Sequence, residues 1–406
     1  MSTATLMSRA LQERLDSARQ LTDSIFSLLK PDALYSRPIP ERHRLVFYLG
    51  HLEAFDWNLI GRKTVGVPSF SPQFDTLFEF GIDPPVGQAA ADQLSDWPSV
   101  EEIQSYNKRV RGRIDELVDQ APEQIVQVAL EHRLMHAETL AYLLHNLPYD
   151  QKAPAPTPLV HRAEQLPNPF IEIAPGIATL GQKHGEFGWD NEFLEHQVNV
   201  PGFRVTKFKI TNGQYLDFVR DGAPPPHFWS LRGNDWFYRG MFFEVPLPLN
   251  APVYATHAEA SAYARWAGKR LLTEEQFHRA AYETPQGEER PYPWGSAEPD
   301  STRGNFDFHR WGDPVDVDAN PAGDSASGVS QLVGNGWEWT ATKFGPFPGF
   351  QPMPFYPGYS QNFFDEEHYV MKGGSPVTAA CMLRRSFRNW FRPNYPYVYA
   401  SFRLVD

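Results

Sequence analysis

Residues 131–147 read EHRLMHAETLAYLLHNL, and the placement of their histidines decides how the N-terminal part of the chain is read. His132 and His136 stand four apart, so on a helix both side chains lie on one face, roughly 6 Å from each other. At roughly 100° per residue, Ile125, Ala129, Thr139 and Leu143 share that face. The two imidazoles therefore sit inside an apolar stripe, and burying them side by side is costly unless each has a partner. One resolution is a pair of core histidines bonded to backbone or water. The other is a shared metal ion, which satisfies both at once.

A third imidazole lies upstream in RLVFYLGHLEAFDWNLI, residues 44–60. His51 stands at the edge of an arc formed by Leu45, Tyr48, Leu49, Leu52, Phe55 and Leu59, where a neighbouring helix would aim it at the His132/His136 pair. Three neutral imidazoles leave coordination positions open, as in catalytic zinc sites or non-haem iron(II) sites that also bind water, O2 or substrate. Residue chemistry alone leaves zinc and iron both open. His43 and His145 fall off these faces, and His145, roughly 160° around the helix from His136, is expected on the solvent side. Glu138 is also off the face and is read as an ordinary polar-face carboxylate.

Helical patterns extend over residues 5–29, 39–63, 99–119 and 121–146, and four such helices pack naturally as a bundle. The texture changes near residue 150. Residues 150–168, DQKAPAPTPLVHRAEQLPN, are polar and Pro-rich. Beyond them the chain is dense in Gly, Pro, Trp and Phe, with short strand-like runs such as FRVTKFKI (203–210) and YVMKGGS (369–375). A helix is expected around HAEASAYARWAGK (257–269), followed by a second in TEEQFHRAAYE (273–283), where Thr273 and Gln276 form a capping box. The expected organisation is a helical domain over 1–150, a linker over 151–168 and an irregular α+β domain over 169–406.

Composition narrows the function. A chain of 406 residues favours two or more domains. Aromatics at 14% with 37 Pro point to a loop-rich part pinned by aromatic packing. The net charge is −12 with no basic stripe, which argues against nucleic acid as a partner. No run of 18 apolar residues exists, so no membrane span is expected, and MSTATLMSRALQERLDSARQ lacks the apolar core of a signal peptide. The one cysteine, Cys381, excludes an internal disulfide, a Cys-based zinc site and any mechanism needing a cysteine pair. A reducing, cytoplasmic location is the matching expectation.

Taken together, LGHLEAFDWN (49–58) and HRLMHAET (132–139) resemble the three-histidine pattern of DinB-like helical bundles. FGWDNE (187–192), ITNGQYLDFV (210–219), RLLTEEQFHRAA (270–281), YPWG (292–295), GNGWEWT (334–340), KGGS (372–375), FRNWFRP (387–393) and ASFR (400–403) resemble the formylglycine-generating-enzyme (sulfatase-modifying factor) fold, which is related to C-type lectins. The two halves in one chain resemble the sulfoxide synthases of ergothioneine biosynthesis and their ovothiol and selenoneine relatives. The resemblance implies an oxidoreductase in which His51, His132 and His136 bind iron(II). With O2 it would join a thiol sulfur to the imidazole C2 of hercynine and oxidise that sulfur to a sulfoxide. Formylglycine generation is not implied, because only Cys381 is present; the fold serves as a scaffold.

The resemblance also implies substrate residues. Asn389 and Trp390 match a stretch lining the hercynine pocket, where an aromatic face attracts a trimethylammonium by roughly 0.5–2 kcal/mol. In FYPGYSQNFF (355–364), Tyr356 matches a proton donor near the iron and Tyr359 a residue lining the hercynine site. An unperturbed tyrosine is protonated at neutral pH and can donate; without it the alternative product is a sulfinic acid. Relatives that use γ-glutamylcysteine carry an Asp after the NW dipeptide and an Arg a few residues later, where this chain has Phe391 and Asn394–Tyr395. GIDPPVGQ (81–88) adds no arginine. Free cysteine is therefore the expected thiol, with Arg392, Arg384, Arg385 and Arg388 as candidate carboxylate partners. Met135 replaces a glutamine that touches hercynine in those relatives. GNGWEWT raises a calcium site in which backbone carbonyls near Leu332, Gly334 and Gly336 join Glu338. The competing readings are a selenoneine-type synthase with a selenium donor, a zinc-dependent thiol transferase, and a non-catalytic ligand-binding module.

Overall fold

Most of the helices begin where the sequence supplies a cap or a proline. In the computed structural model, which describes residues 3–79, 92–153 and 160–406, two units separate, Met1–Pro156 and Thr157–Asp406. The first contains α1 (Thr3–Ser27), α2 (Leu45–Asp56), α3 (Pro72–Leu77), α4 (Val100–Leu117) and α5 (Glu123–His145). Ser99 and Glu102 form a capping box at the start of α4, and Pro122 precedes α5. α2 starts later than the sequence pattern suggested, after Arg44 in extended conformation; Pro38 and Pro40 keep the preceding segment out of the helix. Beyond Asp56 it continues as a π-helix, Trp57–Val65. Gly61 permits this, because a Cβ there would lie 2.5 Å from the Trp57 ring. Gly66, at φ +83, closes the helix with its N–H on the Gly61 carbonyl.

α1 and α2 both pack on α5, and α4 packs on α2. α5 is therefore covered on nearly all sides, and its buried residues include Leu134, Leu140 and Leu144 as well as the histidine face. This overturns the solvent position expected for His145, which is only 1% exposed. A rotation away from His136 does not reach water on a helix enclosed by its neighbours. GIDPPVGQ lies outside the described residues, as do residues 154–159 of the stretch read as a linker. What remains of that stretch is anchored. Lys152 Nζ donates to the Leu144 carbonyl at 3.0 Å. His161 Nδ1 meets Asp316 at 2.8 Å, and Asn250 Nδ2 donates to the carbonyls of Arg162 and Glu164 at 3.1 and 2.7 Å.

The second unit combines α6 (Asn212–Arg220), α7 (His257–Trp266) and α8 (Glu274–Tyr282) with β1 (Phe170–Ile173), β2 (Gly176–Leu180), β3 (His196–Val200), β4 (Phe203–Thr206), β5 (Trp229–Arg232), β6 (Asp235–Arg239), β7 (Glu244–Pro246), β8 (Trp337–Lys343), β9 (Tyr369–Lys372), β10 (Asn389–Phe391) and β11 (Ala400–Ser401). All three helices open with Thr capping boxes, to Gln214, Glu259 and Gln276. β1 pairs with β4, β2 with β3, and β5, β6 and β7 form a meander; the largest sheet has the order β10-β9-β8-β11. α8 packs on β2 and β3 around Leu180, Val200, Leu272, Phe277 and Val405. Of FRVTKFKI only the first half is strand; Lys209 folds inward and is fully buried.

β10 lies antiparallel to β9, with Trp390 opposite Val370, so β9, which leads into the KGGS segment, holds the strand that carries Asn389 and Trp390. Gly373 is required where β9 ends. Its φ is +96, and a Cβ would lie 2.3 Å from the Leu332 carbonyl. Among the described residues no helix is long and apolar enough to cross a membrane.

Candidate metal centre and aromatic site

Within the first unit, α2 brings His51 against the His132/His136 face of α5. His51 Nε2 lies 3.2 Å from His136 Nε2, which lies 3.1 Å from His132 Nε2. Among the described residues these three form the one group of three or more His, Cys, Asp or Glu side chains able to hold a metal ion, with ligand atoms within 4.8 Å of one another. His51 Nδ1 donates to the Phe78 carbonyl at 2.7 Å, which leaves the Nε2 lone pair facing the other two rings. Phe47 stacks on His51 with centroids 4.9 Å apart, and Phe55 stacks on His132 at 3.4 Å. Burial pulls the His51 pKa down to about 4, helped by His43 and Arg133. Burial and the neighbouring imidazoles hold His132 and His136 well below the ordinary value. Three neutral imidazoles thus converge on one point, with His132 Nδ1 and His136 Nδ1 buried and unbonded. Lone pairs in such proximity repel unless a cation or a proton lies between them, so the donor set fits a borderline metal such as zinc or iron(II).

Behind this group lies an ion cluster that the sequence reading missed. Arg133 follows His132 in sequence and is fully buried. Its Nη2 donates to Glu53 at 2.9 Å, to Asp56 at 2.6 Å and to the Leu52 carbonyl at 3.2 Å. Arg111 of α4 adds a second guanidinium on Glu53 at 2.7 Å and reaches Asp23 of α1 at 2.7 Å. Burial alone would raise the Glu53 pKa, but Arg133 and Arg111 pull it down; Asp56 is pushed up by burial, with Arg133 opposing and Glu53 adding to the rise. These bonds tie four helices together, α1, α2, α4 and α5. The available signal was the spacing of Glu53 and Asp56, three apart on a helix otherwise rich in apolar residues.

The second unit holds an aromatic cluster. Trp390 stacks on Phe344 at 4.2 Å and 6°, meets Tyr359 edge-on at 5.4 Å and lies 5.6 Å from Phe363. Tyr356 lies 5.7 Å from Tyr359, which stacks on Trp189 at 4.0 Å. Burial raises the Tyr356 pKa, so its hydroxyl stays protonated. The structure therefore brings Tyr356, Tyr359 and Trp390 together.

Other expected site residues have different surroundings. Asn389 Oδ1 accepts from the Trp390 N–H at 2.8 Å. Phe391 stacks on Tyr395 at 5.0 Å, because neighbouring strand residues point to opposite faces. Arg392 Nε lies 3.5 Å from the exposed Glu367. Met135, half-buried, lends its carbonyl to Thr139 at 3.2 Å. Three of the four candidate arginines are structural: Arg384 is bound to Glu192, Arg385 to Glu195 and Glu289, and Arg388 to Glu274.

Glu338, the side chain expected at a calcium site, sits in a buried ion cluster. Its Oε2 accepts from Lys209 Nζ at 3.2 Å and from Arg403 Nε at 3.0 Å, all three fully buried. Lys209 also takes the Gln331 carbonyl, and Arg403 takes that of Ser330. Burial lowers the Lys209 pKa to about 8, against the pull of Glu338, so the ammonium persists at neutral pH. Two cations meet this carboxylate through Oε2 alone, and its Oε1 is buried with no hydrogen-bond partner.

Residues 156–406 match the sulfatase-modifying factor enzyme 1-like domain family. Hercynine oxygenase of Mycolicibacterium thermoresistibile is 31% identical, over 98% of this chain and 96% of its own length. Hercynine oxygenase of Mycobacterium tuberculosis is 38% identical over 53% of this chain and 55% of its own length. Ergothioneine biosynthesis protein 1 of Neurospora crassa is 28% identical over 93% of this chain, which spans 55% of that longer protein. With a near-full-length relative above 30% identity and a domain match over its larger unit, the chain belongs to the hercynine oxygenase family and carries a sulfatase-modifying factor enzyme 1-like domain.

Proposed function

We propose that this protein is an iron(II)- and O2-dependent sulfoxide synthase of ergothioneine biosynthesis. It joins the sulfur of cysteine to C2 of the hercynine imidazole and gives hercynylcysteine sulfoxide. The observation that carries the reading is the convergence of His51, His132 and His136 as buried, neutral, outer-ring nitrogens in a chain of this family. The helical unit is read as a DinB-like bundle built to present them. Iron(II) bound there supplies O2 activation, with the substrate thiolate providing the negative charge that three neutral ligands lack. The chain's own groups do the rest. The Phe78 carbonyl fixes the tautomer of His51, and Phe47 and Phe55 hold the rings and exclude water. Trp390 and Tyr359 offer π faces to the trimethylammonium. Tyr356 holds a proton on its hydroxyl and delivers it during oxygen reduction. Arg392, the least committed of the four arginines, takes the cysteine carboxylate.

Two predictions follow from the aromatic site. Trp390→Ala is expected to raise KM for hercynine about 2- to 30-fold, the range of a cation–π contact, with a smaller change in kcat; steady-state kinetics in hercynine checks it. Tyr356→Phe is expected to divert turnover from the C–S product to cysteine sulfinic acid, read as a product ratio by mass spectrometry. An unchanged ratio removes Tyr356 from the proton-delivery role.

The reaction class is tested by turnover with and without O2. The oxidative reading expects O2 consumption by the iron(II)-loaded protein and none by the zinc-loaded one. Thiol transfer by zinc-loaded protein under anaerobic conditions would overturn it in favour of a transferase.

A further inference from the structure

Both segments that build the aromatic site are fastened to the same four residues, Trp189–Glu192, which form one wholly buried turn. Trp189 stacks on Tyr359. Asp190 holds the Tyr356/Tyr359 loop at two points. Its Oδ1 accepts from Ser360 Oγ, and its Oδ2 from the Met353 N–H at 3.4 Å. The next two residues hold the other segment. The Asn191 carbonyl accepts from Arg388 Nη1 at 3.1 Å. Glu192 accepts from Arg384 Nε at 2.8 Å and from Ser386 Oγ at 2.6 Å, while also taking the Trp189 N–H at 2.9 Å. Arg388 lies over Phe344 at 5.1 Å, the ring that backs Trp390, and directly precedes Asn389 in sequence. The tyrosine loop and the Trp390 strand are about thirty residues apart in sequence, and this turn touches both.

We propose that Trp189–Glu192 is a positioning element that sets the distance between the Tyr356/Tyr359 loop and the Trp390 strand, with Asp190 as the clamp on the loop. Its effect on product rests on the functional reading given above; its effect on the loop does not. A displacement of about 1 Å is enough to cost a well-oriented step about a hundredfold. A proton donor clamped at both ends of its loop is protected from such a displacement. The Asp190 charge is not needed for clamping. An asparagine can accept from the Met353 N–H through Oδ1 and donate to Ser360 Oγ through Nδ2, because a hydroxyl both donates and accepts.

The test compares Asp190→Ala with Asp190→Asn in the full-length protein. Amide hydrogen exchange in peptides covering residues 353–360 is expected to rise by about tenfold or more in Asp190→Ala and to stay near wild type in Asp190→Asn. With iron(II), hercynine and cysteine, Asp190→Ala is expected to move product toward cysteine sulfinic acid, and Asp190→Asn to restore the wild-type ratio. Unchanged exchange in Asp190→Ala overturns the clamp. An Asp190→Asn product ratio matching that of Asp190→Ala also overturns it, because the carboxylate would then be acting as an acid or base. If wild type forms no C–S product, the functional reading fails while the exchange comparison still decides the clamp. A variant in which exchange rises equally in β2 and α8 has lost the fold, and Ser360→Ala, which removes one clamp bond alone, then decides by whether exchange rises in 353–360.

Discussion

Replacing His132 with alanine is expected to abolish metal binding and O2-dependent turnover while leaving the fold in place. His132 is 3% exposed and sits between His136 and the Phe55 ring. Removing it leaves two imidazoles from different helices, so a metal held as proposed would lose one of its three protein ligands. Loss of partners around the ligands typically costs 10–100-fold in affinity, so loss of a ligand itself is expected to cost more than about a hundredfold. The fold survives because the group is electrostatically unfavourable when empty: three neutral imidazoles with facing lone pairs contribute little to stability. Metal content after anaerobic loading checks the first half, and thermal unfolding of the metal-free protein checks the second. A variant that still holds one iron per chain would move the metal elsewhere.

Arg133→Met is expected to have the largest effect on stability. Arg133 joins two buried carboxylates, Glu53 and Asp56, and both lie on the helix that carries His51. Breaking a buried pair by removing one partner costs about 3–5 kcal/mol, because the remaining charge stays buried. Asp56, already pushed toward its protonated form, can shed its charge; Glu53 keeps only Arg111. Native-state amide exchange in α2 and α5 reads this region directly and is expected to quicken by about two to four orders of magnitude. Adding Glu53→Gln and Asp56→Asn to the variant is expected to recover part of the loss. Exchange equal to wild type would mean that the cluster contributes no net stability.

What could be seen in the sequence was local. The His132/His136 spacing, the Thr273 capping box and the positions of α4 and α5 all depend on residues a few places apart, so a local reading reveals them. The role of Arg133 was hidden because a charged residue beside an apolar stripe is ordinarily taken as solvent-facing, whereas α5 is enclosed on nearly all sides. His145 was misjudged for the same reason. The Oε2 partners of Glu338, Lys209 and Arg403, lie 129 and 65 residues away and were invisible to a local reading. Three of the four candidate arginines were absorbed by Glu192, Glu195, Glu289 and Glu274, whose proximity arises only in the folded chain. Phe391 turned away from Trp390 by the two-residue period of a strand, which the sequence did contain, but the three-residue strand itself was not apparent.

The most direct test of the account is the product. Protein loaded anaerobically with iron(II) is mixed with hercynine and cysteine, exposed to air and analysed by mass spectrometry beside the His132→Ala variant. The account predicts hercynylcysteine sulfoxide from the wild type and none from the variant. Cysteine sulfinic acid as the only product, or no O2 consumed at all, would contradict it.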